Sequence, residues 1–442
     1  MKKLIIVMLI SVIAGLVACA PAATDDIPED IPKDVPEGVV MASGKTLESS
    51  NTRITSPIVE NADRSALVDG NSAFAFNLYR TIKDTDGNLF YSPYSISAAL
   101  AMTYAGARGN TEQEIAGALH FYLPQEQLHP AFNWLEQELA SRGEGAKGKD
   151  DKGFRLNVVN AIWGQKDYEF MVDFLDTLAE NYGAGLRILD FINETEKSRV
   201  TINDWVSEQT EDRIKDLIPQ GTIDALTRLV LTNAIYFNAA WANTFNKDQT
   251  SDRAFYLLDG NTVTVPMMKQ SARFGYAEGD KHQAVELYYD GHELSMVILL
   301  PDEEHFSEFE DNLDYGQVKG IINKLESQEV NLTMPKFEFE SSFSLVEALT
   351  IMGMPGAFTS GADFSGMTGN KDLFISDVIH KAFVSVDEEG TEAAAATAVV
   401  MTLTAMPTEP VTVVIDRPFI FLIRDISTGA ILFMGRVADP TA

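Results

Sequence analysis

The sequence predicts an α+β fold in one large domain, carried behind a short targeting segment and a tether. Three observations support this. Helix-like apolar periodicity dominates the first half of the body, and strand-like runs dominate the second. With 442 residues, 45% of them hydrophobic and 10% aromatic, the chain can bury a large core. Composition shifts abruptly only once, near the N-terminus, so the remainder reads as one unit.

Residues 1–18 read as a signal peptide of the lipoprotein type. Lys2 and Lys3 precede an apolar run over 4–18 that is too short for an ordinary spanning helix. The run ends Leu16-Val17-Ala18-Cys19, which resembles the lipobox of bacterial lipoproteins, where the cysteine is lipidated on sulfur and becomes the new N-terminus. A lone thiol is otherwise most simply a small buried hydrophobe. Cys19 is the only cysteine, so neither a disulfide framework nor a zinc–thiolate site is possible. Residues 19–65 are rich in Pro, Asp, Glu, Thr and Ser, and suit a disordered, acidic, extended tether. The body then spans 66–442.

Within the body, Ala73, Phe74, Phe76, Leu78 and Tyr79 make a compact apolar helix face. Ser92-Pro93 opens a second helix with Ile96, Leu100, Met102 and Tyr104 on its buried side. Further helices are expected over 111–119, 171–182 and 196–216. Strands are expected over 229–237, 294–300, 330–339, 411–415, 419–424 and 431–437, where β-branched and aromatic residues concentrate.

The net charge of −31 argues against nucleic-acid binding, since nothing basic is concentrated enough to neutralise phosphates. The acidity is adequately explained by solubility. The six histidines include no HExxH spacing; His292-Glu293 lacks a second histidine four residues on. No G-x-S-x-G elbow, P-loop or dinucleotide-type glycine motif occurs. The residues give no support to an enzyme.

The segment 386–400 is the most informative in the chain. An acidic pair, one glycine and a run of small and β-branched residues read poorly as helix, core strand or linker, and well as a segment that changes structural state. Strand alternation puts Thr391, Ala393, Ala395, Thr397, Val399 and Met401 on one face and Glu392, Ala394, Ala396, Ala398, Val400 and Thr402 on the other. Only the second set carries charge, so the first is expected to turn inward. No proline falls between Gly390 and Met406, so nearly every backbone group can pair.

Several segments in order resemble the serpin family of protease inhibitors. Asn88-Leu89-Phe90-Tyr91-Ser92-Pro93-Tyr94-Ser95-Ile96-Ser97 is similar to that family's N-I-F-F-S-P-x-S-I-S motif, and Ile202-Asn203-Asp204-Trp205-Val206 to its I-N-x-W-V helix. Leu231-Thr232-Asn233-Ala234-Ile235-Tyr236-Phe237 with Trp241 resembles its central strand. Asn331-Leu332-Thr333-Met334-Pro335-Lys336-Phe337, Pro418-Phe419-Ile420-Phe421 and Phe433-Met434-Gly435-Arg436-Val437 also match, with Glu388-Glu389-Gly390-Thr391-Glu392-Ala393-Ala394-Ala395 in its proper place.

The resemblance implies three β-sheets, eight or nine helices and an exposed reactive-centre loop at about 388–410. It implies no cofactor, and a monomer whose partner is a serine protease. The protease attacks the loop, forms an acyl-enzyme, and is trapped when the cut loop inserts as a strand in the large sheet. Glu388 and Gly390 to Thr397, including Ala396, match the hinge. Ser92, Ser95, Asn233 and His380 match the shutter, a polar cluster beneath the middle of that sheet. Trp241 matches the breach, where the loop enters. A core aromatic is the plain alternative for Trp241, and a satisfied core histidine for His380.

By family spacing the scissile bond follows the seventeenth residue counted from Glu388, which places it at Thr404-Ala405, with Leu403-Thr404 as runner-up. The stretch from Gly390 to Pro418 is longer than is common in the family, which loosens that register. Between Thr391 and Pro410 the only charged residues are Glu392 and Glu409, which disfavours trypsin-like targets; elastase-, chymotrypsin- or subtilisin-like proteases fit better. The rival readings are a non-inhibitory serpin acting as a binding module and a cross-class inhibitor of cysteine proteases. Lipidation at Cys19 would place the protein outside the cytoplasm, on a bacterial membrane or cell surface.

Overall fold

The computed structural model describes residues 45–148, 153–391 and 409–442. Cys19, the hinge residues from Glu392 to Thr397, and Leu403, Thr404 and Ala405 lie outside the described residues.

The helices are α1 (Asn61–Ile82), α2 (Pro93–Tyr104), α3 (Gly109–Ala118), α4 (Gln125–Ala140), α5 (Val172–Tyr182), α6 (Thr195–Gln209), α7 (Phe306–Asp311), α8 (Tyr315–Ile322), α9 (Val346–Ile351) and α10 (Ser365–Thr368). The expected eight or nine become ten among the described residues because α7, α9 and α10 are of six residues or fewer. Helix α2 is buried on every side. Its start is set locally: Ser92 caps it by accepting the Ser95 N–H, and Pro93 fills the first turn where no N–H is needed. Helix α6 stops at Gln209, earlier than the periodicity predicts, because Glu211 and Asp212 take positive φ values of 52° and 61° that end the helix. The apolar residues beyond it, Ile214, Leu217 and Ile218, are buried under the helix rather than continuing it.

Seven strands form one sheet in the order β1 (Thr46–Leu47), β4 (Leu186–Leu189), β3 (Arg155–Gln165), β5 (Leu229–Ala240), β13 (Gly390–Thr391), β12 (Asp377–Val386), β11 (Phe337–Ser344). The second sheet runs β14 (Val411–Val414), β10 (Glu326–Pro335), β7 (Thr262–Gly279), β8 (His282–Tyr288), β9 (Leu294–Pro301), β15 (Phe419–Asp425), β16 (Ile431–Val437), β2 (Leu89–Tyr91), with β6 (Ser251–Tyr256) on β7. Three expected sheets thus form two hydrogen-bonded systems. The 18-residue β7 pairs with β6 over 262–267, with β10 over 267–276 and with β8 over 275–279, joining what the resemblance counts separately.

Two expectations are corrected. The run 330–339 is two strands in different sheets, broken after Pro335, which has no N–H to carry the ladder on. The folded body also begins about twenty residues before the boundary drawn at 66: Thr46 and Leu47 pair with Arg187 and Leu186 at the edge of the seven-stranded sheet, and α1 starts at Asn61. Polar composition concealed this, because the segment is held largely by hydrogen bonds and by two buried residues, Leu47 and Val59.

The seven-stranded sheet is covered on both faces. Odd-numbered residues of β5 such as Leu231, Ile235 and Phe237 enter the main core, while Val230 and Ala234 face Ile202 and Val206 of α6. The full burial of β5 explains its near-continuous apolar sequence.

Candidate functional site

The seam between β5 and β12 joins the predicted residues. The two strands are parallel neighbours from the pair Val230–Asp377 to the pair Ile235–Ala382. Above that, Gly390 and Thr391 lie between them. Gly390 is antiparallel to Ala240, and Thr391 pairs with Ala239 on one side and Val386 on the other. A Cβ on Gly390 would stand 2.1 Å from the Ala239 carbonyl oxygen, so only glycine fits this approach. Thr391 is buried, and its hydroxyl is 2.9 Å from the Tyr289 hydroxyl. Its face is the core face, as alternation predicts.

Charged groups hold the turn that precedes this wedge. The Glu388 carboxylate accepts from Lys336 Nζ at 2.7 Å and from the Thr250 hydroxyl at 2.6 Å. Burial opposes its charge, but Lys336 and Thr250 outweigh burial and hold the carboxyl below its usual range. Glu389 meets Lys247 at 2.6 Å. Both backbone carbonyls are also used: Phe245 N–H donates to Glu388 at 2.7 Å and Trp241 N–H to Glu389 at 2.8 Å. Trp241 stacks on Tyr289 with centroids 4.7 Å apart and donates Nε1–H to the Asp387 carbonyl at 3.0 Å. It is therefore both a core aromatic and a direct support of the wedge.

Lower in the seam, Asn233 and His380 face each other as a parallel pair, and the Asn233 side chain accepts from His380 Nδ1. His380 Nε2 accepts the Ser92 N–H at 3.3 Å. The ring is thus neutral, and burial lowers its pKa from 6.5 to about 3. Asn233 Nδ2 donates to the Ser95 hydroxyl at 2.6 Å, and the Ser92 hydroxyl donates to the Leu432 carbonyl at 2.6 Å. All four residues expected in the shutter are brought together.

Sequence reasoning missed three parts of the site. Asn160 of β3 accepts from both Asn233 Nδ2 and the Ser95 hydroxyl. Tyr289 carries both Trp241 and Thr391. Lys336 was visible within Met334-Pro335-Lys336 but had no role until Glu388 was placed beside it. No local signal marks Asn160 or Tyr289, because their partners are distant in sequence. Among the described residues no histidine, cysteine and carboxylate group could hold a metal ion.

A family model described as Serpin (serine protease inhibitor) matches residues 69–440. An uncharacterized serpin-like protein of Thermococcus kodakarensis is 40% identical over 385 residues, covering 87% of this chain and 88% of its own. The leukocyte elastase inhibitor of Homo sapiens is 40% identical over 387 residues, covering 85% of this chain and 99% of its own. Among solved structures, the thermophilic serpin tengpin in its native state superposes with a TM-score of 0.78 at 29% identity, covering 90% of this chain and all (100%) of its own. Human thyroxine-binding globulin complexed with thyroxine gives 0.77 at 32% identity, over 86% of this chain and 100% of its own.

Proposed function

The chain belongs to the serpin family of serine protease inhibitors, and we propose that it is a suicide inhibitor that traps its target by inserting the loop after Thr391 between β5 and β12. The observation that carries this reading is the wedge of Gly390 and Thr391, already antiparallel between two strands that are themselves parallel below it.

The register supports it. Six residues on from Thr391, and six back from Ala239 and Val386, Thr397 falls opposite both Asn233 and His380. Those two already face each other in the closed part of the seam. A continued strand therefore enters without either neighbour slipping along its axis. The same count sets Ala393 against Phe237 and Val384, and Ala395 against Ile235 and Ala382, all in the core. Small side chains there enter without displacing neighbours, and a charge would be buried unpaired. Insertion exchanges a short parallel pairing for two antiparallel ones. About a dozen added backbone bonds, each contributing roughly 0.5–1.5 kcal/mol net, drive it. Some fifteen inserted residues span about 50 Å at about 3.3 Å each, enough to carry an acylated protease to the opposite pole.

The loop is cut at Thr404-Ala405, or one residue earlier at Leu403-Thr404, by an elastase- or subtilisin-like protease. The absence of Arg and Lys near the bond supports this, as does the likeness to proteins named leukocyte elastase inhibitor. The protein acts as a monomer held outside the cytoplasm by a lipid on Cys19, a reading supported by the lipobox-like Leu16-Val17-Ala18-Cys19.

The test is to incubate the protein with pancreatic elastase, subtilisin, chymotrypsin, trypsin and papain. A complex that survives denaturing electrophoresis is expected with elastase or subtilisin, with a released peptide beginning at Ala405. Cleavage without a stable complex for any of them would make the chain a binding module instead.

A further inference from the structure

Three segments distant in sequence meet beside the second sheet and enclose a cleft of about 580 Å³. They are the end of β6 with its turn into β7, the stretch from the end of β9 into α7, and the connection from β14 to β15. Hydrogen bonds tie the three together. Tyr256 N–H donates to the Asp416 carbonyl at 2.8 Å, and Arg417 Nε donates to the Pro301 carbonyl at 2.9 Å. The turn after Pro301 is itself closed, with His305 N–H donating to the Asp302 carbonyl at 3.1 Å. The cleft is therefore formed before anything enters it, which spares a ligand the cost of ordering it.

Its lining has two characters. Pro301, Phe306 and Pro418 are buried and give it an apolar base, while Tyr256 and Leu258 line it with 53% and 55% of their surface exposed. A half-exposed tyrosine ring beside a leucine offers both apolar contact and a face for a cation. Against these stand the carboxylates of Asp302, Glu303, Glu304 and Asp416. Asp416 is occupied by Arg417 at 3.0 Å, the one cation among the lining residues. Asp302, Glu303 and Glu304 make no ion pair among the described residues, so the cleft is left negative. Charge alone does not make such a site. A second cleft, of about 370 Å³ beside α6, is lined by Asp204, Ser207, Glu208, Glu211 and Asp212 and has no apolar wall against which a ligand could lie.

We propose that the cleft between the β6–β7 turn, α7 and the β14–β15 connection binds a small amphipathic cation, a protonated amine on an aromatic or branched apolar body. The body lies over Pro301, Phe306 and Pro418, beside Tyr256 and Leu258, and the ammonium faces Glu303 and Glu304. A volume of about 580 Å³ falls within the range of small-molecule sites, and an apolar base with a few convergent charged groups is their usual composition. An anion would meet three carboxylates, and a neutral molecule would leave them unused. The cleft shares no residue with the Glu388 turn or with the cluster of Asn233 and His380. The site therefore goes beyond the inhibitory reading and holds whether or not the loop inserts.

The test is to titrate the full-length protein with tryptamine by isothermal calorimetry at low salt. Two analogues of similar shape are run beside it, neutral 3-propylindole and anionic indole-3-propionate. Tryptamine is expected to bind saturably at one site, and each analogue at least about tenfold more weakly, the discrimination of one charge-assisted contact. E303Q/E304Q should weaken tryptamine about tenfold and Y256A about threefold. E208Q, in the acidic cleft beside α6, should match wild type. All four substituted residues are exposed, so melting temperatures should stay at the wild-type value. If Y256A nevertheless melts earlier, Y256F keeps the ring and should bind tryptamine as wild type does. No saturable binding of tryptamine to the wild type, or equal affinity for 3-propylindole, would overturn the site. So would wild-type affinity in E303Q/E304Q, or loss of binding in E208Q.

Discussion

Below Ile235 the seam between β5 and β12 is closed by a parallel ladder, and the groups behind it are neutral: the Asn233 amide, the His380 imidazole and the hydroxyls of Ser92 and Ser95. Above it, the wedge of Gly390 and Thr391 is held at the rim by ions, Lys336 on Glu388 and Lys247 on Glu389. The ionic contacts at the rim pair buried carboxylates with lysines that are 36% and 65% exposed, so water and salt reach one partner of each. Buried neutral bonds cannot be broken without leaving donors and acceptors unsatisfied. On the proposed insertion mechanism, the rim would set where the loop starts and the buried cluster how hard it is to proceed.

The largest test of that division is T391R. A guanidinium would be forced against Tyr289 and the core, so the loop should still be cut but complex yield should fall at least about tenfold on denaturing gels. Unchanged yield would mean the wedge is not the route of entry.

Next is H380A, which strands the Asn233 carbonyl and the Ser92 N–H. Native stability should fall by about 2–3 kcal/mol in denaturant titration, and spontaneous insertion should speed up. The same histidine gives a pH signature. Its folded pKa is depressed to about 3 from 6.5, so the unfolded chain binds the proton first. Stability is then full above about pH 6.5 and declines as pH falls toward 3. Glu388, held low by Lys336, adds its own loss in the same direction once pH falls through the carboxylate range. H380A should flatten the upper part of that profile and leave the lower part; an unaltered profile would remove His380 from the account.

Smaller effects are expected at the rim. K336A leaves the buried Glu388 carboxylate with Thr250 and its own backbone N–H, and should cost about 1–2 kcal/mol. K247A removes a side chain that is 65% exposed and should cost under about 1 kcal/mol, vanishing in high salt. If K247A proved as damaging as H380A, the contrast between rim and interior would collapse.

Much of this was legible in the sequence. The Ser92 cap, the all-apolar β5 and the terminal β15 and β16 follow from local chemistry that tertiary context reinforces. The inward face of Thr391 follows from alternation alone. What stayed hidden depended on pairing across distance. Asn160 matters because antiparallel register puts it opposite Asn233, and Tyr289 because it lies between Trp241 and Thr391. Residues 45–65 read as part of a tether because two sheet residues and a few polar bonds produce no hydrophobic period. The split after Pro335 was available in principle, since proline ends a ladder, but the apolar run on both sides masked it.

The place of β16 has a consequence for how the protein is made. Ser92 caps α2 while its hydroxyl bonds Leu432, 340 residues later, and β2 pairs only with β16 in its sheet. Both edges of the seam, β5 and β12, are synthesised before β14, β15 and β16, three of the nine strands of the second sheet. On the proposed insertion mechanism, a loop-out fold would require those later strands to dock before the loop finds the seam.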